Sequence, residues 1–244
     1  MIQLNLRKLS ASPSTNNELK KLLKRNKLES NDGVWTLNQT EGVGQSGSVW
    51  QGETNNHLAF SVYKNFINLN PKWIYSINSA SSLAVLKTLE NYEVQNLSIK
   101  WPNDILSGNK KICGILAENK IKGSQIKSII GIGVNLYEKS FIKLPQATSV
   151  FIETKKKPLI DDFIDNLSKN LIFYMSMCTN SKALNLNERF HNKLFFWKKN
   201  IKFQIQGRDD QALLQKVNLN GLIDLKLKNG EVRSFQPKEI KMIY

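Results

Sequence analysis

The chain has 244 residues, 41% hydrophobic and 23% charged. That is enough for one sizeable core, or a main domain with a small companion, and it excludes a fibrous or wholly disordered polymer. A formal net charge of +15, from 35 basic and 20 acidic residues, invites a nucleic-acid reading. Against it, only five of the basic residues are arginine, the charge is spread along the chain, and no base-stacking aromatics are interleaved with it.

The N-terminal segment reads as a strand, Ile2–Leu6, with no apolar stretch of the kind that marks a secretory signal. Thr15-Asn16-Asn17-Glu18 has the spacing of a capping box, and Leu19, Leu22 and Leu23 follow on one helical face. Val34–Leu37 predicts a short strand, Gly42 to Gly52 a glycine-rich loop, and Leu58–Tyr63 a second strand. Trp73–Leu89 predicts a helix whose middle, Ser79 to Ser82, is small enough for close packing. Leu97–Trp101, Lys111–Glu118 and Ile126–Val134 predict buried strands. Pro158 marks the first turn of a helix carrying Leu159, Ile160, Phe163, Ile164, Leu167 and Leu171, and a further helical stretch runs from Leu184 to Trp197. Beyond it the apolar period becomes two. Ile201 to Ile205 and Leu222–Leu227 alternate, and Asn229-Gly230 predicts a hairpin turn into Val232–Phe235, so residues 198–244 are expected to form a small all-β barrel. No apolar run approaches the roughly 18 residues of a membrane span. The two cysteines, Cys113 and Cys178, are too few for a disulfide framework or a four-cysteine metal site; a reducing, cytoplasmic setting fits.

Two segments carry candidate chemistry. Gly42-x-Gly44-x-x-Gly47 formally matches a dinucleotide fingerprint, but a strand follows where that motif needs a helix. It reads as a flexible loop whose backbone N–H groups approach a phosphate or carboxylate, or as an ordinary hairpin loop. The second segment is Lys100-Trp101-Pro102-Asn103-Asp104, followed by Lys111 across the turn residues Ser107-Gly108-Asn109. Two strand ends would bring Lys100, Asn103, Asp104 and Lys111 together. Two cations beside an amide and a carboxylate suit a polyphosphate and its Mg²⁺, the plainer reading being a polar hairpin with a salt bridge. No nucleophile–base pair is evident, and His57 and His191 read as isolated surface or packing residues.

In order, KWPNDI from Lys100, KICGILAE from Lys111, GIGVNL (Gly131–Leu136) and ATSV (Ala147–Val150) resemble the ordered motifs of the biotin–protein ligases. Ser14-Thr15-Asn16 and Gln39-Thr-x-Gly42 fall where that family has its biotin-contacting segment and the start of its glycine-rich loop. The resemblance implies an α+β fold of the class II aminoacyl-tRNA synthetase and biotin ligase type. It would have a mixed, largely antiparallel sheet with helices over residues 1–197, and an SH3-like domain over 198–244. It also implies a two-step ligation. Biotin and ATP give biotinyl-5′-AMP, and a lysine of a biotin carboxyl carrier protein then takes the biotin. The nearest alternative is a lipoate or octanoate ligase or transferase of the same superfold. An alternative of another class is a non-catalytic basic nucleic-acid-binding protein.

The resemblance implies roles by position. Lys111 would contact the α-phosphate and the biotin carboxylate, and Lys100 would neutralise the polyphosphate. Asn103 and Asp104 would order the metal and the hairpin, with Asp104 the candidate Mg²⁺ ligand. Ser14, Thr15 and Gln39, with Asn16 and Gly42 beside them, would hold the biotin ureido group, although Thr15 is also a residue type that a helix N-cap requires. Gly114, Leu116, Gly131 and Gly133 would line a narrow slot for the bicycle. Gly44 and Gln45 of the loop would meet the adenylate, Trp50 would shield the adenine, and Asn135 would lie near the nucleotide. The loop departs from the family pattern. It reads GVGQSG, with Val43 and Ser46 where arginines are expected. Losing those guanidinium forks should weaken adenylate retention, slow the first step or shift the contact to a lysine. Too few residues precede Ser14 for a winged-helix domain, so operator binding is not expected. Family members dimerise through sheet edges in some cases, and a homodimer is left open.

Overall fold

The computed structural model describes residues 3–50, 52–67, 69–123, 125–205 and 207–244, with the side chain of Ser46 outside the description. In chain order the first elements are β1 (Asn5–Lys8), α1 (Thr15–Lys24), β2 (Asp32–Thr36), β3 (Gly42–Val43), β4 (Val49–Trp50), β5 (His57–Ile67) and α2 (Tyr75–Asn91). Next come β6 (Leu97–Lys100), β7 (Asp104–Ser107), β8 (Lys110–Lys122), β9 (Gln125–Asn135), α3 (Val150–Thr154), α4 (Ile160–Met175) and α5 (Ala183–Asn192). The chain closes with β10 (Asn200–Ile205), β11 (Arg208–Val217), β12 (Ile223–Leu227), β13 (Val232–Phe235) and β14 (Ile240–Ile243).

Seven strands form one sheet in the order β1-β2-β5-β9-β8-β7-β6. β1 and β2 run parallel and the remaining pairs antiparallel, so the sheet is mixed and largely antiparallel, as expected. Alternation gives it two faces. One carries Leu58, Phe60 and Val62 of β5, Ile130, Ile132 and Val134 of β9, and Cys113 and Ile115 of β8, all buried in the main core with residues of α2, α4 and α5. The small middle of α2 is buried there, and the Ser81 hydroxyl donates to the carbonyl of Ile77 at 2.7 Å, so it enters the core with a partner. The opposite face is covered at one end by α1, whose Leu19 packs with Val34, Tyr63 and Ile129. The rest of that face is open and holds the site.

Several expected boundaries move. The first strand begins at Asn5, and Ile2 lies outside the described residues. The N-cap of α1 is Ser14, whose Oγ accepts from the Asn17 N–H at 3.4 Å, and Thr15 is the first helical residue. α4 begins at Ile160, after Pro158, and Leu159 is its N-cap and 72% exposed, not part of the buried stripe. α5 stops at Asn192 because the following segment pairs with the edge of β6: the Ile99 N–H donates to Lys193 O, and the Phe195 N–H to Ile99 O, at 2.7 and 2.8 Å.

The C-terminal strands form an antiparallel sheet in the order β13-β12-β11-β10-β14, with the Asn229-Gly230 turn where the sequence places it. Its buried face joins the main core. The Trp101 Nε1–H donates to Gly221 O at 2.8 Å, and the Val217 N–H donates to His191 Nε2 at 2.8 Å. Gly221, at φ +84°, lies against the Tyr75 ring, where a Cβ would clash. Among the described residues, no helix is long and apolar enough to cross a membrane.

Candidate functional site

Sheet register decides which residues share the open face. Ala59 opposes Gly133, Gly133 opposes Gly114, Gly114 opposes Asp104, and Asp104 opposes Lys100. The adjacent row is Ser61, Gly131 and Leu116. Small residues therefore cut a trough across the sheet, and it ends at a carboxylate and an ammonium group. Lys111 reaches this face through a β-bulge. Ile105 pairs with Cys113 but Leu106 pairs with Lys111, which leaves Ile112 as the extra residue. Strict alternation from Cys113 would turn Lys111 towards the core; the bulge turns it to the side of Asp104. Its backbone is held on both sides, the N–H donating to Gln146 O at 2.7 Å and the carbonyl accepting from the Thr148 N–H at 2.9 Å.

Lys111 Nζ lies 2.6 Å from Asp104 Oδ1, and Lys100 Nζ lies 3.9 Å from Asp104 Oδ2. Lys100 also sits 4.6 Å from the Tyr244 ring centroid. Two cations share one carboxylate, so the cluster keeps a positive charge facing the cleft. Asn103 lines the cleft as well, but its Nδ2 donates to Ile115 O at 2.8 Å and ties the turn to β8. The turn is fastened to α2 through the Pro102 carbonyl, which accepts from Tyr75 Oη and Asn78 Nδ2 at 3.1 and 2.8 Å.

The glycine-rich loop is a short hairpin in which Gly42 pairs with Trp50 and Val43 with Val49. Its tip closes on itself: the Gly44 N–H donates to Ser48 O at 2.6 Å, and the Ser48 hydroxyl to Gln45 O at 2.9 Å. Gly44, Gln45 and Trp50 line the cleft. The indole of Trp50 lies in the trough itself. A Cβ on Gly133 would stand 2.5 Å from Trp50 Cε2, and one on Gly114 would stand 3.0 Å from Cζ3. Lys111 Nζ is 5.4 Å from the indole centroid. The two glycines expected to admit a ligand bicycle thus lie directly against the indole.

At the other end, Ser14, Thr15, Asn16 and Gln39 line the cleft beside the start of α1. The Thr15 N–H donates to Gln39 Oε1 at 2.9 Å, and Asn16 Nδ2 donates to Glu118 Oε2 at 2.9 Å. Ser61 Oγ lies 2.7 Å from Thr15 Oγ1 and 2.6 Å from Asn16 Oδ1. Gly131 leaves room for the Asn16 amide. Gly42 is buried beside Gln39 and does not line the cleft. Nor does Asn135, whose buried amide donates to Thr148 O at 2.9 Å.

All the other site residues expected from the sequence border this one cleft of about 1080 Å³. Sequence reasoning missed Ser61, Glu118 and the contribution of the C-terminal sheet, which brings Lys238, Lys241 and Tyr244 to the cleft wall. Among the described residues, Asp104 is the sole carboxylate lining the cleft, and no group of three His, Cys, Asp or Glu side chains is placed to hold a metal. Burial pushes the Cys113 thiol well up, with the nearby Lys111 charge opposing it more weakly. That thiol faces the core and offers no nucleophile.

Residues 9–135, just over half of the chain, match the biotin/lipoate A/B protein ligase family. The chain is 34% identical over 104 residues to the bifunctional ligase/repressor BirA of Bacillus spizizenii, covering 42% of this chain and 31% of that protein. Over 137 residues it is 31% identical to the biotin–[acetyl-CoA-carboxylase] ligase of Paracoccus denitrificans, covering 52% and 53%. The matches thus span about a third to a half of these relatives. Its fold is similar to that of the biotin protein ligase from Aquifex aeolicus in complex with biotin and ATP. The TM-score is 0.79 at 21% identity, over 98% of both chains, which is a likeness of fold.

Proposed function

The chain belongs to the biotin/lipoate A/B protein ligase family, and from that membership we propose that it is a biotin–protein ligase acting on a lysine of a biotin carboxyl carrier protein. One observation carries the proposal: Lys100 and Lys111 converge on Asp104 at one end of a small-residue trough whose other end is the hydrogen-bonding start of α1. A substrate with a polar ring at one end and a carboxylate at the other spans that distance in kind. Its ring meets Thr15 and Gln39, and its carboxylate meets the lysines.

In the first step a carboxylate oxygen of biotin attacks the α-phosphorus of ATP. A C–O–P bond forms, the bond from the α-phosphorus to the β-bridging oxygen breaks, and pyrophosphate leaves. Lys111 stabilises the charge that gathers on the α-phosphate, and Lys100 faces the polyphosphate. In the second step the carrier's amine nitrogen attacks the acyl carbon. The C–O bond breaks, AMP leaves and the amine loses a proton. Neither step needs a protein nucleophile; positioning and charge supply the catalysis. The mixed anhydride is hydrolysable, so the role of the Trp50 hairpin is to cover it. In this reading residues 198–244 act as a second, SH3-like domain whose last strand walls the nucleotide side. Asp104 already sits between two ammonium groups and does not fit as a protein ligand for Mg²⁺, so the ion enters as part of the MgATP substrate.

The test is incubation with labelled biotin, MgATP and a carrier domain, with lipoate as competitor. Label on the carrier lysine, undiminished by excess lipoate, is the expected result. No transfer, or loss of label to lipoate, would overturn the assignment.

A further inference from the structure

Residues 147–150 line no part of the cleft, yet they lie against the backbone of Lys111. β9 pairs with β8 from Cys113 onward and goes no further: the Leu136 and Tyr137 N–H groups both turn to Asn56 O, at 3.0 and 2.8 Å. Beside Lys111 the place of β9 is taken by a segment parallel to β8, with Lys111 opposite Ala147. The Lys111 N–H donates to Gln146 O, and its carbonyl accepts from the Thr148 N–H. These two bonds hold the residue where the bulge at Ile112 interrupts the regular ladder.

Thr148 is fully buried. Its N–H goes to Lys111, its carbonyl accepts from Asn135 Nδ2 at 2.9 Å, and its hydroxyl donates to Glu153 Oε1 at 2.5 Å. The other oxygen of that carboxylate accepts from Ser107 Oγ at 3.0 Å. Ser107 ends β7, the strand that begins with Asp104. A ring of contacts therefore closes. Asp104 meets Lys111 by ion pair, Lys111 meets Thr148 through the backbone, and Thr148 returns through Glu153 to the strand of Asp104. Hydrogen bonds to a carboxylate are short and directional. A valine would fill the space of Thr148 as well; what the hydroxyl adds is direction.

We infer that Thr148 and Glu153 are positioning residues for Lys111: they hold the segment that stands in for β9 and so set where the Lys111 ammonium group meets the α-phosphate. The inference rests on the biotin ligase reading above and adds to it the pair that aims its central lysine.

The experiment measures single-turnover pyrophosphate release by the full chain, at varied biotin and varied MgATP, in wild type, Thr148→Val, Thr148→Ser and Glu153→Ala. The maximal rate should fall about tenfold in Thr148→Val and in Glu153→Ala, since a displaced charge loses catalysis while the binding contacts remain. The half-saturating concentrations of biotin and ATP should stay within about twofold. Thr148→Ser keeps the hydroxyl and should stay within about twofold of wild type throughout. In a Lys111→Ala background Thr148→Val should cost nothing further, because no ammonium group is left to aim; a general structural role would slow both backgrounds alike. Glu153 is exposed, so its variant carries the comparison if Thr148→Val does not fold. Full maximal rates, raised half-saturating concentrations at full rate, a Thr148→Ser protein as slow as Thr148→Val, or a further loss in the Lys111→Ala background would overturn this inference alone. A wild-type protein that releases no pyrophosphate with biotin would overturn the biotin reading and this inference together.

Discussion

Lys111→Ala separates chemistry from stability because the structure holds the residue in two independent ways. Its backbone is fixed by the hydrogen bonds to Gln146 and Thr148, and these survive the substitution. Its side chain contributes an ion pair to Asp104 at 2.6 Å, but the two side chains are 34% and 17% exposed. Solvent screening limits such a pair to about 1 kcal/mol or less. Asp104 also keeps Lys100 within 3.9 Å, so the carboxylate is not stranded. The melting temperature should fall by at most about 2–4 °C for a chain of this size. The catalytic loss is of another order. Removing a charged donor aimed at a developing transition-state charge costs about 3–4 kcal/mol, roughly 10²–10³ in rate. The assay is carrier-independent pyrophosphate release with biotin and MgATP, run beside a thermal melt. Near-normal pyrophosphate release from a folded Lys111→Ala protein would refute the role. A rate loss matched by a large drop in melting temperature would refute the separation.

Gly133→Val places a Cβ where the Trp50 ring stands, 2.5 Å from Cε2. It should expel the indole and raise the KM for biotin more than that for ATP, and equal rises would argue against a shared slot. Val43 lines the cleft and is half exposed. Val43→Arg should lengthen retention of the acyl-adenylate, measured as its release rate after gel filtration; an unchanged rate would show that another group already makes the contact. Burial pushes both His57 and His191 below the ordinary imidazole value of 6.5, against weaker raising effects from their backbone partners at Glu53 and Asn187. The unfolded chain therefore takes up protons that the folded chain refuses. Stability should be full above that value and fall as the pH drops below it, giving a lower urea midpoint at about pH 5.5 than at about pH 7.5. Equal midpoints would contradict this.

Local chemistry was legible in the sequence wherever it is local in space. The β7–β8 turn follows from Gly108-Asn109, since Gly108 sits at φ +56°, and it brings Lys111 to Asp104, while the β6–β7 turn at 101–103 brings Lys100 to the same carboxylate. The bulge at Ile112 was not legible, because only the pairing with β7 reveals that an extra residue has been accommodated. Adjacent Ser14 and Thr15 are equally good caps by residue type; the extended backbone of Ser14, at φ −156° and ψ 120°, decides between them. Ser61 alternates with core residues along β5, but its meeting with Thr15 and Asn16 spans 46 and 45 residues. The apolar run after α5 reads as helix until the unpaired edge of β6 captures it. The wall formed by β14 and Tyr244 depends on the docking of two sheets, which no local pattern encodes.

A tightly held acyl-adenylate is the species that the proposed reaction requires. The full chain, incubated with biotin and ATP radiolabelled at the α-phosphate and with no carrier present, should release pyrophosphate and retain biotinyl-5′-AMP bound without covalent attachment. Recovery of the label as AMP covalently joined to the protein, or of unreacted ATP alone, would contradict it.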